Sequence, residues 1–151
     1  MKKINLYLDN CCFNRPYDDQ SQLVIKLETE AKIAIQERIK KGQYLLHWSY
    51  ILDFENRNNP FIERKTEINK WKELSSSDIE ETDAILKRMN KLCASGIKPL
   101  DSLHISCSIE QKCNYFLTVD KGILKKADSI KEIKVLSPIE FIIEMEERND
   151  D

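Results

Sequence analysis

Four short apolar runs, at residues 4–8, 44–48, 115–117 and 133–136, are separated by segments of helical period, and this alternation restricts the fold more than any other feature. Between the first two runs, Leu23, Leu27, Ala31, Ala34, Ile35 and Ile39 form a helical stripe over about 20–41, stopped by Gly42. A strand, a long helix and another strand make a right-handed crossover with parallel strands. Asn59-Pro60 places a proline in the first turn of a later helix with Ile68, Trp71 and Leu74 on its apolar face. Ser77-Asp78-Ile79-Glu80 reads as a capping box opening another helix, through Ile85, Met89 and Leu92 to Gly96. Pro99 opens a helix carrying Leu100, Leu103, His104 and Cys107, residues 121–126 read as a short helix, and Ser137-Pro138 starts the last one. The pattern predicts an α/β fold, a three-layer α/β/α sandwich around a four- or five-stranded, mostly parallel sheet.

At 151 residues and 41% hydrophobic content, the expectation is one domain over 1–151, with a helical pair at about 59–95 and an acidic C-terminal tail at about 144–151. Glu140, Glu144, Glu146, Glu147, Asp150 and Asp151 face only Arg148 in the last twelve residues, so the chain before them is net positive despite the overall −2. The acidic balance therefore does not exclude a nucleic-acid substrate. Arg64, Lys65, Lys70, Lys72, Lys87, Arg88 and Lys91 on the helical pair form either a solvated face or a guide for phosphates. Five cysteines without a C-x-x-C pair point to a reduced, cytoplasmic setting, and no apolar run reaches the roughly 20 residues that cross a bilayer.

Strand ends carry the acids. Asp9 follows the first run and Asp120 the third, Asp101 lies in the first turn of the helix opened by Pro99, and Glu55 lies six residues beyond Ser49 at the end of the second run. In an open parallel sheet, ligands bind outside the carboxyl ends of the strands, so these four acids are expected at one edge. Carboxylates crowded there repel unless a cation joins them, and an oxygen-only set suits Mg²⁺ better than zinc. Hydrolysis of a phosphodiester is the leading chemistry for such a centre. Each acid alone is more often a helix cap or surface charge than a ligand, and it is the four together that point to a metal. Ser49 and Thr118 are placed to anchor a metal-bound water or fix a carboxylate, or simply to cap. Asn10 and Arg15 lie in the loop over the edge, where Arg15 either meets a phosphate or is solvated. His104, three residues after Asp101, reads either as a general base or, given Leu103 and Ile105 beside it, as a packed imidazole, which is the expectation. His47 is expected to be packed too, and the cysteines, Cys11 and Cys12 included, to be small core residues rather than thiol nucleophiles.

At Tyr7-Leu8-Asp9, the Ser49 to Glu55 spacing, Leu100-Asp101-Ser102-Leu103-His104 and Thr118-Val119-Asp120, the chain resembles the PIN-domain ribonucleases, the family that includes VapC-type toxins of bacterial toxin–antitoxin pairs. The resemblance covers nearly the whole chain. It implies a Mg²⁺- or Mn²⁺-dependent endoribonuclease with Asp9, Glu55, Asp101 and Asp120 as metal-binding acids, acting on single-stranded RNA. It implies, too, that the 59–95 helices serve as a clip for a second protomer, in a homodimer, or for an antitoxin protein. The chain departs from the family at Asn10, where members commonly have a Thr or Ser after the first Asp, and the departure bears on the fine positioning of a metal-bound water. Where many members add an acid after the last Asp, this chain has Lys121-Gly122, which points to one firm metal site. A non-catalytic PIN-fold module binding nucleic acid or a protein partner is the alternative. A phosphoacceptor receiver and a haloacid-dehalogenase-like phosphatase are excluded, because the first strand ends in Asp9-Asn10-Cys11 and the second in Trp48-Ser49.

Overall fold

The computed structural model describes residues 3–149, and Asp150 and Asp151 of the expected acidic tail lie outside the described residues. The chain runs β1 (Ile4–Leu8), α1 (Asn10–Asn14), a 3-10 turn (Arg15–Tyr17), α2 (Leu23–Lys40), β2 (Tyr44–Ser49), α3 (Tyr50–Arg57), α4 (Ile62–Glu73) and β3 (Ser77–Ile79). It continues through α5 (Asp83–Ala94), α6 (Pro99–Glu110), β4 (Tyr115–Leu117), α7 (Lys121–Leu124), a second 3-10 turn (Ala127–Ser129), β5 (Lys134–Leu136) and α8 (Pro138–Asn149). The five strands form one sheet in the order β3-β2-β1-β4-β5. Every neighbouring pair is parallel, with Leu6 opposite both Leu46 and Tyr115.

Alternate side chains of β1 point to opposite faces, yet Leu6, Tyr7 and Leu8 are all 0% exposed, so both faces of the central strand are covered. On them, α2 packs against α8 and α5 against α6. The strand order reverses at β1. The chain moves outward through β2 and β3, then returns to β4 on the other side, which makes the crevice beyond the ends of β1 and β4 the switch point where such sheets bind ligands.

Local signals hold where the backbone itself is constrained. Gly42 follows α2 at φ +77° and Gly96 follows α5 at φ +99°, the left-handed conformation that ends a helix at little cost only for glycine. Pro99 opens α6, where its missing N–H removes no helical bond. Three readings change. Ser77–Ile79 is the edge strand β3 rather than the start of a helix, so a strand separates the two helices expected at 59–95. The Ser77 hydroxyl is engaged by the His47 ring at 2.6 Å and accepts from Gln111 Nε2 at 2.9 Å, partners contributed by distant segments. Thr82 caps α5 instead, accepting from the Ile85 N–H at 3.2 Å.

Pro60 lies before α4, because the Asn59 side chain accepts from the Phe61 N–H at 3.0 Å and forms a turn that delays the helix to Ile62. The stripe of α2 is rotated as well. Ile35 is 0% exposed but Leu23 is 69% exposed, while Glu28, Thr29, Lys32 and Gln36 are buried in their place. At the other end of the chain, α8 runs through residues 144–149 of the acidic stretch.

Candidate metal centre

Asp9 stands at the end of β1, 6% exposed, and its backbone N–H donates to the Leu117 carbonyl at 2.9 Å, joining the ends of β1 and β4. Its carboxylate is held from two sides. The Asn10 N–H donates to Oδ1 at 2.8 Å, and Thr118 Oγ1 donates to Oδ2 at 2.8 Å. The same Thr118 oxygen accepts from the Asp120 N–H at 3.1 Å, so one hydroxyl locks the Asp9 rotamer and the turn leading to Asp120.

Ser49 caps α3, accepting from the Leu52 N–H at 3.3 Å, and the helix carries Glu55 back over the strand ends. Asn10 Nδ2 donates to Glu55 Oε2 at 3.2 Å, while Glu55 Oε1 meets Nε2 of His104. His104, 1% exposed, lies one turn along α6 from Asp101, and its Nε2 is 3.8 Å from Asp9 Oδ1. One ligand atom from each of Asp9, Glu55 and His104 lies within 4.8 Å of the others.

Behind this group runs a buried polar chain. His104 Nδ1 shares a hydrogen bond with the Tyr7 hydroxyl at 2.7 Å, and Tyr7 shares another with Ser49 Oγ at 2.6 Å. Burial and nearby acidic groups raise the Tyr7 pKa well above its ordinary value, so it remains a phenol. Burial alone would disfavour a charged His104. The hydrogen bond to Glu55 and the charges of Asp9, Glu55 and Asp101 outweigh that effect and raise its pKa.

Asp101 and Asp120 line a neighbouring cavity with Gly96, Ile97, Lys98 and Gly122. Burial, then the charges of Asp9 and Asp120, push the Asp101 carboxyl up to about 6. The four acids expected at one sheet edge thus sense one another, but they are not equivalent. Asp120 Oδ1 accepts from the Gly122 N–H at 2.7 Å and the Ile123 N–H at 3.2 Å, capping α7. Ser49 faces Tyr7 and the start of α3. Arg15 is tied to Asp18 at 2.9 Å and Glu28 at 3.1 Å, fastening the 3-10 turn to α2. Of the bases on α4 and α5, Lys70 pairs with Glu67, Lys72 with Asp53 and Asp78, and Arg88 with Glu110 and Glu132, as a solvated face does.

His104 and Tyr7 enter the centre although neither was expected there. Their signal lay in spacing. Tyr7 is two residues before Asp9 on the same face of a strand, and His104 is three after Asp101, one turn along a helix. Two carboxylates and an imidazole suit a divalent cation, and Asn10 Oδ1 is a buried oxygen without a hydrogen-bond partner on the amide that holds Glu55. The donor set therefore fits a metal ion.

Fold and donor set together define an α/β protein with a candidate metal-binding group at the switch point of a parallel sheet. No family model matches the chain. In fold it is similar to a chain of FitAcB from Neisseria gonorrhoeae, with a TM-score of 0.58 and 15% identity over 88% of this chain and 97% of that one. It is likewise similar to a chain of VapBC2 from Rickettsia felis, a complex bound to a DNA fragment from its promoter, with a TM-score of 0.56 and 11% identity over 87% of this chain and 97% of that one. At these identities the likeness is one of fold. In sequence, 90 residues are 27% identical to the DNA-directed RNA polymerase subunit alpha of Salinibacter ruber, a match covering 56% of this chain. The matched stretch spans 27% of that subunit's length. Among the described residues, no helix is long and apolar enough to cross a membrane.

Proposed function

We propose that the chain is a metal-dependent endoribonuclease of PIN type, a single cytoplasmic domain whose acidic centre is Asp9, Glu55, Asp101 and Asp120. The observation that carries the reading is the meeting of Asp9 and Glu55 at the switch point, with an Asp101 carboxyl whose acidity is weakened by Asp9 and Asp120. Asp9 and Glu55 would hold the ion, Mg²⁺ or Mn²⁺, with Asp101 and Asp120 toward the adjoining cavity. When bound, such an ion lowers the pKa of a water and offsets charge on the phosphodiester. The protein's own contribution is positional. Thr118 keeps Asp9 in one rotamer, Asn10 and His104 fix the two oxygens of Glu55, and Asp101 can take a proton near neutral pH.

The similarity of fold to FitAcB and VapBC2, both toxin–antitoxin complexes, supports a role in such a pair, with single-stranded RNA as substrate and an antitoxin protein or a second copy as partner. A second reading, a non-catalytic module binding nucleic acid or a protein partner, draws on the internal partners that Glu55 and Asp120 already have. Cleavage of a labelled mixed-sequence single-stranded RNA with Mg²⁺, Mn²⁺ or EDTA separates the two. The nuclease reading expects metal-dependent cutting that Asp9→Asn removes. Folded wild-type protein that cuts nothing with either metal would favour the binding module.

A further inference from the structure

The oxygen-only centre implied by the four acids gains a nitrogen in three dimensions, and that changes which ion it suits. Resting on the metal-centre reading above, we infer that His104 Nε2 is itself a metal ligand, so that the site takes a first-row transition ion such as Mn²⁺ in preference to Mg²⁺.

Placement comes first. Nε2 lies against Glu55 Oε1 and 3.8 Å from Asp9 Oδ1, and the three ligand atoms already fall within 4.8 Å of one another. Ligands on opposite sides of a small divalent ion stand about 4.2 Å apart, so small side-chain adjustments complete a shell. The second observation is the far side of the ring. An imidazole that binds metal through one nitrogen is oriented by a hydrogen bond at the other, and here Tyr7 meets Nδ1 at 2.7 Å.

Tyr7 can serve either proton arrangement. When its hydroxyl proton is directed to Ser49 Oγ, 2.6 Å away, the Tyr7 oxygen accepts the Nδ1 hydrogen and Nε2 keeps its lone pair for a cation. When Tyr7 donates to Nδ1 instead, Nε2 carries the hydrogen and donates to Glu55. The ring, buried between α6 and the sheet, is held in place in both cases. The third observation is that Asn10, whose Nδ2 donates to Glu55 Oε2 at 3.2 Å, has a buried Oδ1 with no hydrogen-bond partner among the described residues. Imidazole raises affinity along the first-row series, whereas Mg²⁺ gains little from nitrogen and keeps its waters.

The test is binding rather than turnover. Calorimetric titration of the full chain with Mn²⁺ and with Mg²⁺ should show Mn²⁺ bound about 100-fold more tightly, a preference that His104→Gln reduces to about 10-fold or less. Electron spin-echo spectra of the Mn²⁺-loaded wild-type protein should carry nitrogen modulation from an imidazole, a readout that needs no variant to fold. Mn²⁺ binding without nitrogen modulation, or a preference unchanged in folded His104→Gln, would overturn the inference while leaving an oxygen-only metal centre in place. Absence of any binding by folded wild type would overturn the inference and the metal-centre reading together. Asp9→Asn should weaken both ions, which identifies the site being titrated.

Discussion

The molecule buries both of its histidines, and their surroundings could hardly differ more. His47, on β2, meets only neutral groups, donating from Nε2 to Asn5 Oδ1 at 2.8 Å and sharing a hydrogen bond between Nδ1 and Ser77 Oγ at 2.6 Å, and burial lowers its pKa. His104, on α6, is buried more completely, yet its pKa is raised, because Glu55, Asp9 and Asp101 surround it. Burial by itself disfavours charge, and only nearby carboxylates reverse the sign. His47 stitches β3 to the sheet, whereas His104 belongs to an electrostatic centre that can exchange one positive charge for another.

The largest effect should come from the carboxylate that both sides of the centre share. Asp9→Asn should weaken Mn²⁺ binding by at least about 100-fold, read by calorimetry, and remove RNA cleavage. It should also let the Asp101 carboxyl fall from about 6 toward its ordinary 3.8, since the Asp9 charge is one of the causes of that elevation. Carboxyl-carbon NMR titration measures this directly, and an unmoved Asp101 would separate the two acids.

Lys32 extends the comparison to a buried base without an acid. It lies 5.8 Å from the Phe13 ring centroid and burial lowers its pKa to about 8. The unfolded chain binds this proton more tightly than the folded protein does. Stability should therefore rise between pH 8 and 10.5. Lys32→Met should flatten that rise and stabilise the protein at pH 7 by up to about 3 kcal/mol, measured by urea unfolding.

In EDTA, the two histidines should give slopes of opposite sign. At His47 the folded pKa is depressed below 6.5, so stability falls as pH drops through 6.5 toward the folded value, and His47→Gln should remove that loss. At His104 the folded pKa lies above 6.5, so its contribution is complete below 6.5 and is lost as pH rises through the folded value. Unfolding free energies from pH 5 to 8 for wild type and each variant test both signs. The smallest effect should be Ser77→Ala, which removes a partner of His47 and Gln111 and should cost about 1–2 kcal/mol. It should leave Mn²⁺ affinity unchanged, and a change would mean that the two histidine regions are coupled.

Legibility followed the range of the interactions. The identity of β1, β2, β4 and β5, the parallel α/β order, Gly42 as a helix stop, Pro99 as a helix start and acids at strand ends were determined by the sequence, because periodicity, glycine and proline act within a few residues. The identity of β3, the rotation of α2 that exposes Leu23 and buries Lys32, and the pairing of Arg15 with Glu28 depend on segments far apart in the chain. The centre divides in the same way. Asp9 could be read as a strand-end acid and Glu55 as one carried six residues along the helix that Ser49 caps, but the entry of His104 between them required α6 to pack beside Tyr7 of β1. That contact joins residues 97 positions apart, and only the tertiary structure decided it, since no local pattern distinguishes an imidazole facing apolar side chains from one facing two carboxylates.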